Sequence, residues 1–313
     1  MAAVIGALTG LPTILQIVVI VLIAVAAAWI FRAVLTLVPG VVGRLARRAP
    51  LTGSLGVLIV LIYALVAIFA PVLAPFGERE VVGAQYLPWD DTYLLGTDNL
   101  GRDMLSRLIW GARNTVGVAM LTTGLAFVAG ALPGLVAAAV GGWVDQVLSR
   151  AVDVLMAIPP LIFALLMLTI LDSSIINLIL VIAVIEATRV FRLARAVAGN
   201  VVVMDYIEAA RLRGEGLGWL VGREILPNVL APLMAEFGLR FCFTILLISA
   251  LSFLGLGIQP PTADWGAMVR DNATLITFGD ATPLLPAAAI ALLTVAVNFV
   301  VDWALGERAG VQV

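Results

Sequence analysis

Tyr206-Ile-Glu-Ala-Ala-Arg-Leu-Arg-Gly214, followed after nine further residues by Glu224-Ile-Leu-Pro227, is a polar segment in a chain that is otherwise strongly apolar. Asp205 and Glu208 have the spacing of a capping box, in which each side chain satisfies a backbone N–H group of the first helical turn. Gly214 is a helix stop signal, because glycine adopts the left-handed conformation at low cost. The segment therefore predicts a short helix in a loop. The Glu-Ala-Ala triplet alone is typical of many capped surface helices, and only the full spacing is specific.

The composition places the chain in a lipid bilayer. Of its 313 residues, 62% are hydrophobic and 12% are charged, and the mean hydropathy is +1.13. This apolar fraction is well above that of ordinary soluble domains. The net charge of −2 gives no indication of a nucleic-acid partner. We therefore expect a protein that contacts the lipid bilayer and no nucleic acid.

The residue types that are missing from the sequence exclude several functions. There is no His and no Lys, so all 18 basic residues are Arg. Without Lys there is no Walker A loop, and without His there is no Ser-His-Asp triad and no zincin helix. Cys242 is the only cysteine, which excludes an intrachain disulfide and a cysteine-based zinc site. We expect no catalytic residues, and no metal or cofactor bound by this chain.

Long apolar runs divide the chain into candidate transmembrane helices. A helix needs about 20 predominantly apolar residues to cross the hydrocarbon core of a bilayer. The first run is not typical of a cleavable signal peptide, because its first basic residue, Arg32, lies near its C-terminal end. The pattern predicts an all-α, polytopic membrane protein with about seven spans. The spans are expected at about Ile14–Val38, Ser54–Ala74, Thr115–Val140, Val147–Leu171, Ile175–Ala196, Val229–Leu254 and Leu284–Leu305.

The arginine distribution predicts the orientation of the chain. Arginine is enriched on the cytoplasmic side of membrane proteins. The linker after the first predicted span and the stretch after the fifth are rich in Arg, whereas residues 76–113 and 259–283 carry more acidic residues than basic ones. Alternation then predicts an N-terminus outside, a C-terminus in the cytoplasm and a cytoplasmic loop at residues 205–227. The deciding arginines are Arg44, Arg47 and Arg48 in the linker and Arg211, Arg213 and Arg223 in the later stretch.

The loop resembles the "EAA" loop of the permease subunits of ABC importers, a short helix that docks on an ATPase subunit. The resemblance rests on Glu208, Ala209 and Ala210, on Gly214, and on Leu226-Pro227 at the family spacing. It implies a coupling role for these residues and for Asp205. Small side chains at Ala209 and Ala210 would let the helix approach a partner closely. Glu224 departs from the pattern, since the family usually has an aliphatic residue or His there.

Four further blocks extend the resemblance to the C-type permease subunits of dipeptide, oligopeptide and nickel importers, from about Leu55 onward. The resemblance implies an external face that includes Gln259, Trp265 and Met268, and a polar pair at Asn298 and Asp302 in the last span. Asp98 or Asn99 is expected to cap the helix that follows the first block. The blocks are Leu95-Gly-Thr-Asp-Asn-Leu-Gly-Arg-Asp-Met-Leu-Ser-Arg-Leu-Ile-Trp-Gly-Ala-Arg113, Gly141-Gly-Trp-Val-Asp145, Leu251-Ser-Phe-Leu-Gly-Leu-Gly-Ile-Gln-Pro-Pro261 with Trp265-Gly-Ala-Met268, and Asn298 with Asp302.

The chain departs from the family in two places. The family usually has six spans, so residues 1–50 are expected to form an additional N-terminal span and a cytoplasmic linker, and residues 51–313 the permease domain. The family also commonly has a glutamate where this chain has Ile248. Its charges in that span are instead Glu236 and Arg240.

Charged residues inside a span are functional candidates, because an ionisable group at membrane depth is costly unless it is paired or faces water. Glu236 and Arg240 are one helical turn apart and can pair. They either line the substrate pathway, together with Asn298 and Asp302, or form a structural pair whose pairing a charge swap restores. Glu186 and Arg189 stand three residues apart near the cytoplasmic end of the fifth span, where long side chains can reach the interface, so a structural role is expected for them.

The resemblance implies a non-catalytic permease subunit of an ATP-driven importer for peptides or similar small solutes, in the inner membrane. Its implied partners are a homologous second permease subunit, two ATPase subunits that bind ATP and Mg²⁺, and an extracytoplasmic substrate-binding protein. A secondary transporter driven by an ion gradient is the alternative, although no internal repeat supports it. A membrane-embedded enzyme lacks plausible catalytic residues, and a non-transporting assembly subunit is a further alternative.

Overall fold

A computed structural model describes residues 13–37 and 39–309 of the chain. The described part is built from α-helices joined by short turns and one longer loop between α3 and α4. The helices are α1 (Thr13–Leu37), α2 (Val41–Arg48), α3 (Leu51–Leu73), α4 (Met104–Val140), α5 (Gly142–Met156), α6 (Pro160–Leu171), α7 (Ile175–Val202), α8 (Asp205–Leu212), α9 (Leu226–Phe253), α10 (Trp265–Asn272) and α11 (Leu284–Ala309). The described residues fall into two compact units, one formed by residues 13–37, 39–113 and 268–309 and the other by residues 114–267.

In the first unit, α3 and α11 pack closely in antiparallel directions. A Cβ atom on Gly53 would lie 2.9 Å from the Trp303 ring, and one on Gly56 would lie 2.6 Å from the Ala296 carbonyl oxygen. Further along, the Tyr63 hydroxyl donates a hydrogen bond of 2.9 Å to the Ala289 carbonyl oxygen. Glycine therefore sets the close approach of the two backbones, as small residues commonly do between membrane helices.

In the second unit, α4 and α7 run side by side in the same direction. A Cβ atom on Gly130 would lie 2.4 Å from the Ala187 carbonyl oxygen, and one on Gly134 would lie 2.7 Å from the Phe191 carbonyl oxygen. The residue numbers rise together along both helices, so the contact is parallel. It has the small-xxx-small spacing typical of closely packed membrane helices.

The span predicted at Val147–Leu171 is not one continuous helix, because a break between Met156 and Pro160 separates α5 from α6 and bends them by 85°. Pro159 is held at φ −57° and precedes a second proline, so neither residue continues the helix of α5. The apolar run is continuous across this break, which is why composition suggested one helix.

The bent pair nevertheless has to cross the bilayer. With Gly130 level with Ala187, the end of α4 lies beside the last turns of α7. The beginning of α7 lies about 33 Å further back along α4, at 1.5 Å per residue. The chain between the two helices, residues 141–174, must cover that height, which matches the hydrocarbon thickness of about 30 Å. We therefore infer that α5 and α6 form one broken span.

By length and composition, four helices in the described part of the chain are able to cross a membrane, or five if the bent pair is one span. They are α3, α4, α9 with the turns before it, and α11. Helix α7 has 28 residues but carries charges at Glu186, Arg189 and Arg192, which lower its apolar character. Helix α1 contains the shorter apolar stretch Leu22–Leu37. The architecture is an all-helical, multi-pass membrane protein, and the total of seven spans stays a prediction.

Candidate functional site

Helix α8 is the short helix predicted in the loop at residues 205–227, but it begins differently from the prediction. Met204 is the N-cap, and its carbonyl oxygen accepts from the N–H groups of Ile207 and Glu208 at 2.9 and 3.4 Å. No side chain caps the helix, so the predicted capping box of Asp205 and Glu208 is wrong. A tight turn at the end of α7, with Met204 N–H bonded to Val201, starts α8 one residue early. Both carboxylates still lie in the first turn, where their negative charge interacts favourably with the helix dipole.

Gly214 stops helix α8, as predicted, two residues after its last helical residue, Leu212. Gly214 has φ +82°, and its N–H group donates to the Arg211 carbonyl oxygen at 2.9 Å. The next N–H group, of Glu215, donates to the Ala210 carbonyl oxygen at 3.2 Å. These two bonds form a Schellman motif, which satisfies carbonyl groups that a helix end otherwise leaves free. The space around Gly214 is open, so its backbone conformation alone favours glycine there.

One face of α8 is fixed to the rest of the second unit. Ile207 and Ala210 are fully buried in a cluster that includes Leu135 of α4 and Val229 of α9. Arg211 donates a hydrogen bond of 2.8 Å to the carbonyl oxygen of Ala139, in the last turn of α4. Helix α8 therefore contacts the ends of several long helices at once, and a displacement of α8 would move them.

The opposite face of α8 is exposed. Asp205, Glu208 and Ala209 are accessible, as are the apolar side chains of Tyr206 and Leu212, the latter 83% exposed. Of the two alanines expected to face a partner, only Ala209 is available, because Ala210 packs inward. The small size of Ala210 serves contact with the chain's own core. An exposed apolar surface beside exposed carboxylates is typical of a docking surface.

The second half of the loop leads directly into α9. After Gly214 the chain forms a helical turn at Leu217–Trp219 and a π-helical segment at Leu220–Ile225. Pro227 then lies in the first turn of α9, where its missing N–H group costs little. Ile225 is fully buried, Leu226 is partly buried and Pro227 is exposed. Ile225 thus anchors the loop to the protein core, and the Leu-Pro pair begins the membrane helix that follows.

A buried group of charges joins α7 and α9. Arg240 Nη1 donates a hydrogen bond of 3.1 Å to Glu186 Oε2, and Arg240 Nε lies 2.8 Å from Glu236 Oε1. The Nε–H bond is not aimed at that oxygen, so the second contact is an ion pair without a good hydrogen bond. The predicted pairing of Glu236 with Arg240 is present. Glu186 pairs with Arg240 and not with its neighbour Arg189, which gives a charge cluster, Glu186, Arg240 and Glu236, with two carboxylates on one guanidinium group.

The aromatic ring of Phe243 extends this charge cluster towards the bend between α5 and α6. The guanidinium carbon of Arg240 lies 4.7 Å from the ring centroid, and that of Arg189 lies 5.9 Å from it. Arg189 and Thr188 also line a groove at the bend, whose other walls are apolar. The remaining lining residues are Leu155, Met156, Ile158, Pro160, Phe163, Val184 and Ile185. A polar lining at one end of an apolar groove suits a solute with both kinds of surface.

The polar pair of the last span, Asn298 and Asp302, lies on α11 in the first unit. The two residues are four positions apart and therefore share a face of the helix. Asn298 is partly buried and Asp302 is exposed. Asp302 is accessible to a partner or to solvent.

The three residues predicted for the external face differ in accessibility. Gln259 is exposed, and its side-chain amide donates to the carbonyl oxygens of Gly255 and Gly257 at 3.0 and 2.9 Å. Trp265 and Met268 are only 1% and 2% exposed, so of the three residues only Gln259 presents its side chain at the surface. Both are anchors of α10, and the large apolar side chains are more stable inside the protein than in water.

Trp265 is held by a buried polar network that the sequence did not reveal. Its backbone N–H group donates to the Thr115 hydroxyl oxygen at 3.2 Å, and this hydroxyl donates to Asp264 Oδ1 at 2.8 Å. The N–H group of Ala267 donates to the other oxygen of Asp264 at 3.0 Å. Asp264 is fully buried, and this burial raises the pKa of its carboxyl group above the usual value although the surrounding donors oppose the rise.

The first sequence block also forms a buried network, in the first unit. Asp98 binds the Arg102 guanidinium at 2.7 Å and lies 3.2 Å from Nε of Arg107. The cap of α4 is Asp103, whose carboxylate accepts from the Ser106 N–H group at 2.7 Å, so the expectation that Asp98 or Asn99 caps this helix is wrong. The block therefore fixes the loop before α4 to the helix.

In the part of the chain that the structure describes, no group of three or more Cys, Asp or Glu side chains is arranged to hold a metal ion. The site features are thus a mounted surface helix, an intramembrane charge cluster and a groove at a helix bend. Together with the apolar helices, they are features of a multi-pass membrane protein.

The chain belongs to the family of binding-protein-dependent transport system inner membrane components, whose family model matches residues 126–306. The matched segment contains α8, the charge cluster and the bent pair. A membrane permease component is therefore the class of this protein, and an ion-driven secondary transporter is not favoured. The multi-pass location in an inner membrane follows from the same match and from the apolar helices.

Several curated proteins are similar to the chain over most of its length. The dipeptide transport system permease protein DppC of Haemophilus influenzae is 34% identical over 255 residues, which cover 79% of this chain and 86% of that protein. The di/tripeptide transport system permease protein DppC of Pseudomonas aeruginosa is 35% identical over 79% of this chain and 84% of its own length. The peptide transport system permease protein SapC of Escherichia coli is 35% identical over 76% of this chain and 83% of its own length.

Proposed function

We propose that this chain is one permease half of an ATP-driven importer that moves peptides or similar small solutes inward, with α8 as its coupling helix. The arrangement of α8 carries the proposal: Ile207 and Ala210 fix one face to the long helices, while Glu208 and Ala209 remain accessible on the other. A partner that grips the accessible face can transmit its movement to α4 and α9. ATP binding in the partner would then switch the pathway from inward-facing to outward-facing.

The partners follow from this mechanism. Two ATPase subunits would bind ATP and Mg²⁺, because this chain has no Lys for a Walker A loop. A homologous second permease subunit would provide the second coupling helix. A substrate-binding protein would deliver the solute, as the description of the family indicates. The exposed Gln259 and the exposed, mainly acidic loop between α3 and α4 are the surfaces available to it.

The orientation proposed is an N-terminus outside and a C-terminus in the cytoplasm. It is supported by the arginines on either side of the spans. Single cysteines at Ala3 and Val311, in a Cys242→Ser background, would report it through an impermeant thiol reagent on intact cells. Labelling at position 3 alone is expected, and labelling at position 311 alone would reverse the orientation.

A glycine comparison tests the coupling role. Gly214 has φ +82°, whereas Gly218 lies four residues on, has an ordinary φ and equally open surroundings. Alanine at 214 must adopt a left-handed conformation that costs about 1 kcal/mol or more, and it loosens the end of α8. In the reconstituted complex we expect Gly214→Ala to lower uptake and binding-protein-stimulated ATP hydrolysis together, with basal hydrolysis and assembly retained. Gly218→Ala is the matched control and should leave all four unchanged.

The coupling assignment fails if Gly214→Ala and the charge reversal Glu208→Lys both retain full uptake and stimulated hydrolysis. Glu208→Lys changes only the exposed face of α8, so it separates partner contact from helix stability. Loss of assembly in Glu208→Lys would place the defect in docking itself and would still support the assignment.

We further propose that Glu236, Arg240, Asn298 and Asp302 contribute to the solute pathway. Glu236 is the more accessible carboxylate of the charge cluster, and Arg240 keeps Glu186 as a partner when Glu236 is changed. Glu236→Gln is therefore expected to alter apparent affinity or solute preference at normal complex yield. Unchanged affinity and preference for a series of dipeptides of different charge would remove Glu236 from the pathway.

A further inference from the structure

Helix α2, the short basic helix at Val41–Arg48, lies outside the matched family segment and has no assigned role. It follows α1 and begins after Gly40, whose φ of +97° lets the chain turn sharply. Residues 1–77 contain four arginines, Arg32, Arg44, Arg47 and Arg48, and no acidic residue. This part of the sequence is therefore positively charged.

Arg32 of α1 fixes the position of α2. Its Nε donates to the Ala46 carbonyl oxygen at 3.2 Å, and its Nη2 donates to the Arg47 carbonyl oxygen at 3.0 Å. These bonds satisfy carbonyl groups at the C-terminus of α2, where a positive charge is also favoured by the helix dipole. The guanidinium group of Arg32 thus binds two backbone carbonyl groups of the protein itself. Helix α2 is folded back against α1 instead of extending away from the membrane.

The two faces of α2 differ sharply. Gly43, Ala46 and Ala49, at intervals of three residues, are buried against the neighbouring helices. The side chains of Arg44 and Arg47 point outward and are exposed. Within the described residues, no ion pair is made by either of these two arginines. They form a basic face, Arg44 with Arg47, on a helix whose orientation is fixed.

The surroundings of the basic face indicate its depth in the membrane. Arg32 lies about 7.5 Å before the end of α1, at 1.5 Å per residue, and the C-terminus of α2 lies at the same level. Exposed apolar side chains occur on α1 both before this level, at Trp29, which is 63% exposed, and after it, at Leu37. Trp is enriched at the boundary between hydrocarbon and headgroups. Arginines at this depth can extend their charged ends to lipid phosphates.

We propose that the basic face, Arg44 with Arg47, binds the phosphate groups of anionic phospholipids and anchors the N-terminal segment to the headgroup layer. Guanidinium groups suit phosphate oxygens because they can form two parallel hydrogen bonds. The buried face of α2 and the two bonds from Arg32 hold these groups in place, which lowers the entropy lost on binding. The proposal depends on the membrane location of the chain and not on the proposed transport function.

The test compares lipid retention in the purified, full-length complex. Complexes are equilibrated with mixed micelles of phosphatidylglycerol and phosphatidylcholine, and the retained lipids are counted by native mass spectrometry. With each arginine near an anionic surface contributing roughly fivefold, R44Q/R47Q is expected to lower the preference for phosphatidylglycerol by about 25-fold. R44K/R47K keeps the charge and should keep most of the preference.

R79Q/R113Q is the matched control, because it removes two exposed arginines and changes the net charge equally. It should leave the preference for phosphatidylglycerol unchanged. Equal losses in both double variants would show a general charge effect and would overturn the proposal. An unchanged preference in R44Q/R47Q would also overturn it.

Two further outcomes exclude other roles for the basic face. Full competition by inorganic phosphate would identify a site for a soluble anion and not for lipid. If the arginines only orient the chain during insertion, R44Q/R47Q would reverse cysteine labelling of the termini, while correctly oriented molecules would retain phosphatidylglycerol normally. Either result contradicts the proposal, and neither bears on whether α8 couples to an ATPase.

Discussion

Arg240 is expected to be the most sensitive charged position in the second unit. Its guanidinium group is the sole cation that contacts Glu186 among the described ion pairs, at 3.1 Å, and the side chains of the two residues are only 10% and 3% exposed. Replacing Arg240 with Gln leaves the Glu186 carboxylate buried without a compensating charge. Breaking such a pair from one side costs about 3–5 kcal/mol. We expect Arg240→Gln to lower the free energy of unfolding by that amount.

The two carboxylates of the charge cluster are expected to respond unequally. Glu236→Gln leaves Arg240 paired with Glu186, so it should cost about 1 kcal/mol. The double variant E186Q/R240Q removes both buried charges and should recover a large part of the loss, which gives a coupling energy of about 2–3 kcal/mol. Unfolding of the purified chain by titration with a denaturing detergent in mixed micelles would measure these differences. Arg79→Gln, at an exposed loop position, is the control.

A charge swap between positions 236 and 240 provides a further test. A simple two-residue pair would be restored by the swap. In the structure, the swap would place a carboxylate at position 240 beside Glu186, so two negative groups would face each other. We therefore expect the swap to be as unstable as Arg240→Gln. The reasoning is refuted if Arg240→Gln costs no more than Arg79→Gln, or if the swap restores full stability.

Two other predictions concern the loop before α4 and the network around Asp264. Gly101→Ala should destabilise the chain by about 2 kcal/mol or more, because Gly101 has φ +74° and a Cβ atom would lie 2.2 Å from the Gly83 carbonyl oxygen. The melting temperature should fall accordingly, whereas Gly117→Ala, in open space, should leave it unchanged. Burial raises the pKa of Asp264, so the stability that its protonated form contributes is present below about pH 4 and is lost as pH rises through the raised pKa. Asp264→Asn should lower stability by the same amount at every pH, because one hydrogen-bond acceptor is lost, and it should remove the pH dependence that Asp264 causes. The melting temperature of the variant should therefore rise relative to that of the wild type as pH rises. A difference between the two melting temperatures that does not change with pH would contradict the assignment.

Much of this protein is determined locally in its sequence. The long apolar runs predict helices and a bilayer location, because apolar side chains and internally bonded backbone are required together in hydrocarbon. Gly214 ends α8 as expected, since the left-handed conformation is a property of that one position. The spacing from Glu208 to Pro227 indicated the family, which the match over residues 126–306 confirms.

Tertiary structure alone decided the contacts between distant residues. Glu186 and Arg240 are 54 positions apart, so local spacing favoured Arg189 as the partner, and only the packing of α7 on α9 selects Arg240. Burial of Ala210 and Trp265 depends in the same way on which helices lie beside them. The bend at Pro159 and Pro160 has a local cause, but the inference that α5 and α6 form one broken span depends on the parallel contact of α4 and α7. Side chains that meet across a packed interface are chosen by the whole fold, whereas helices and their ends are chosen by a few neighbouring residues.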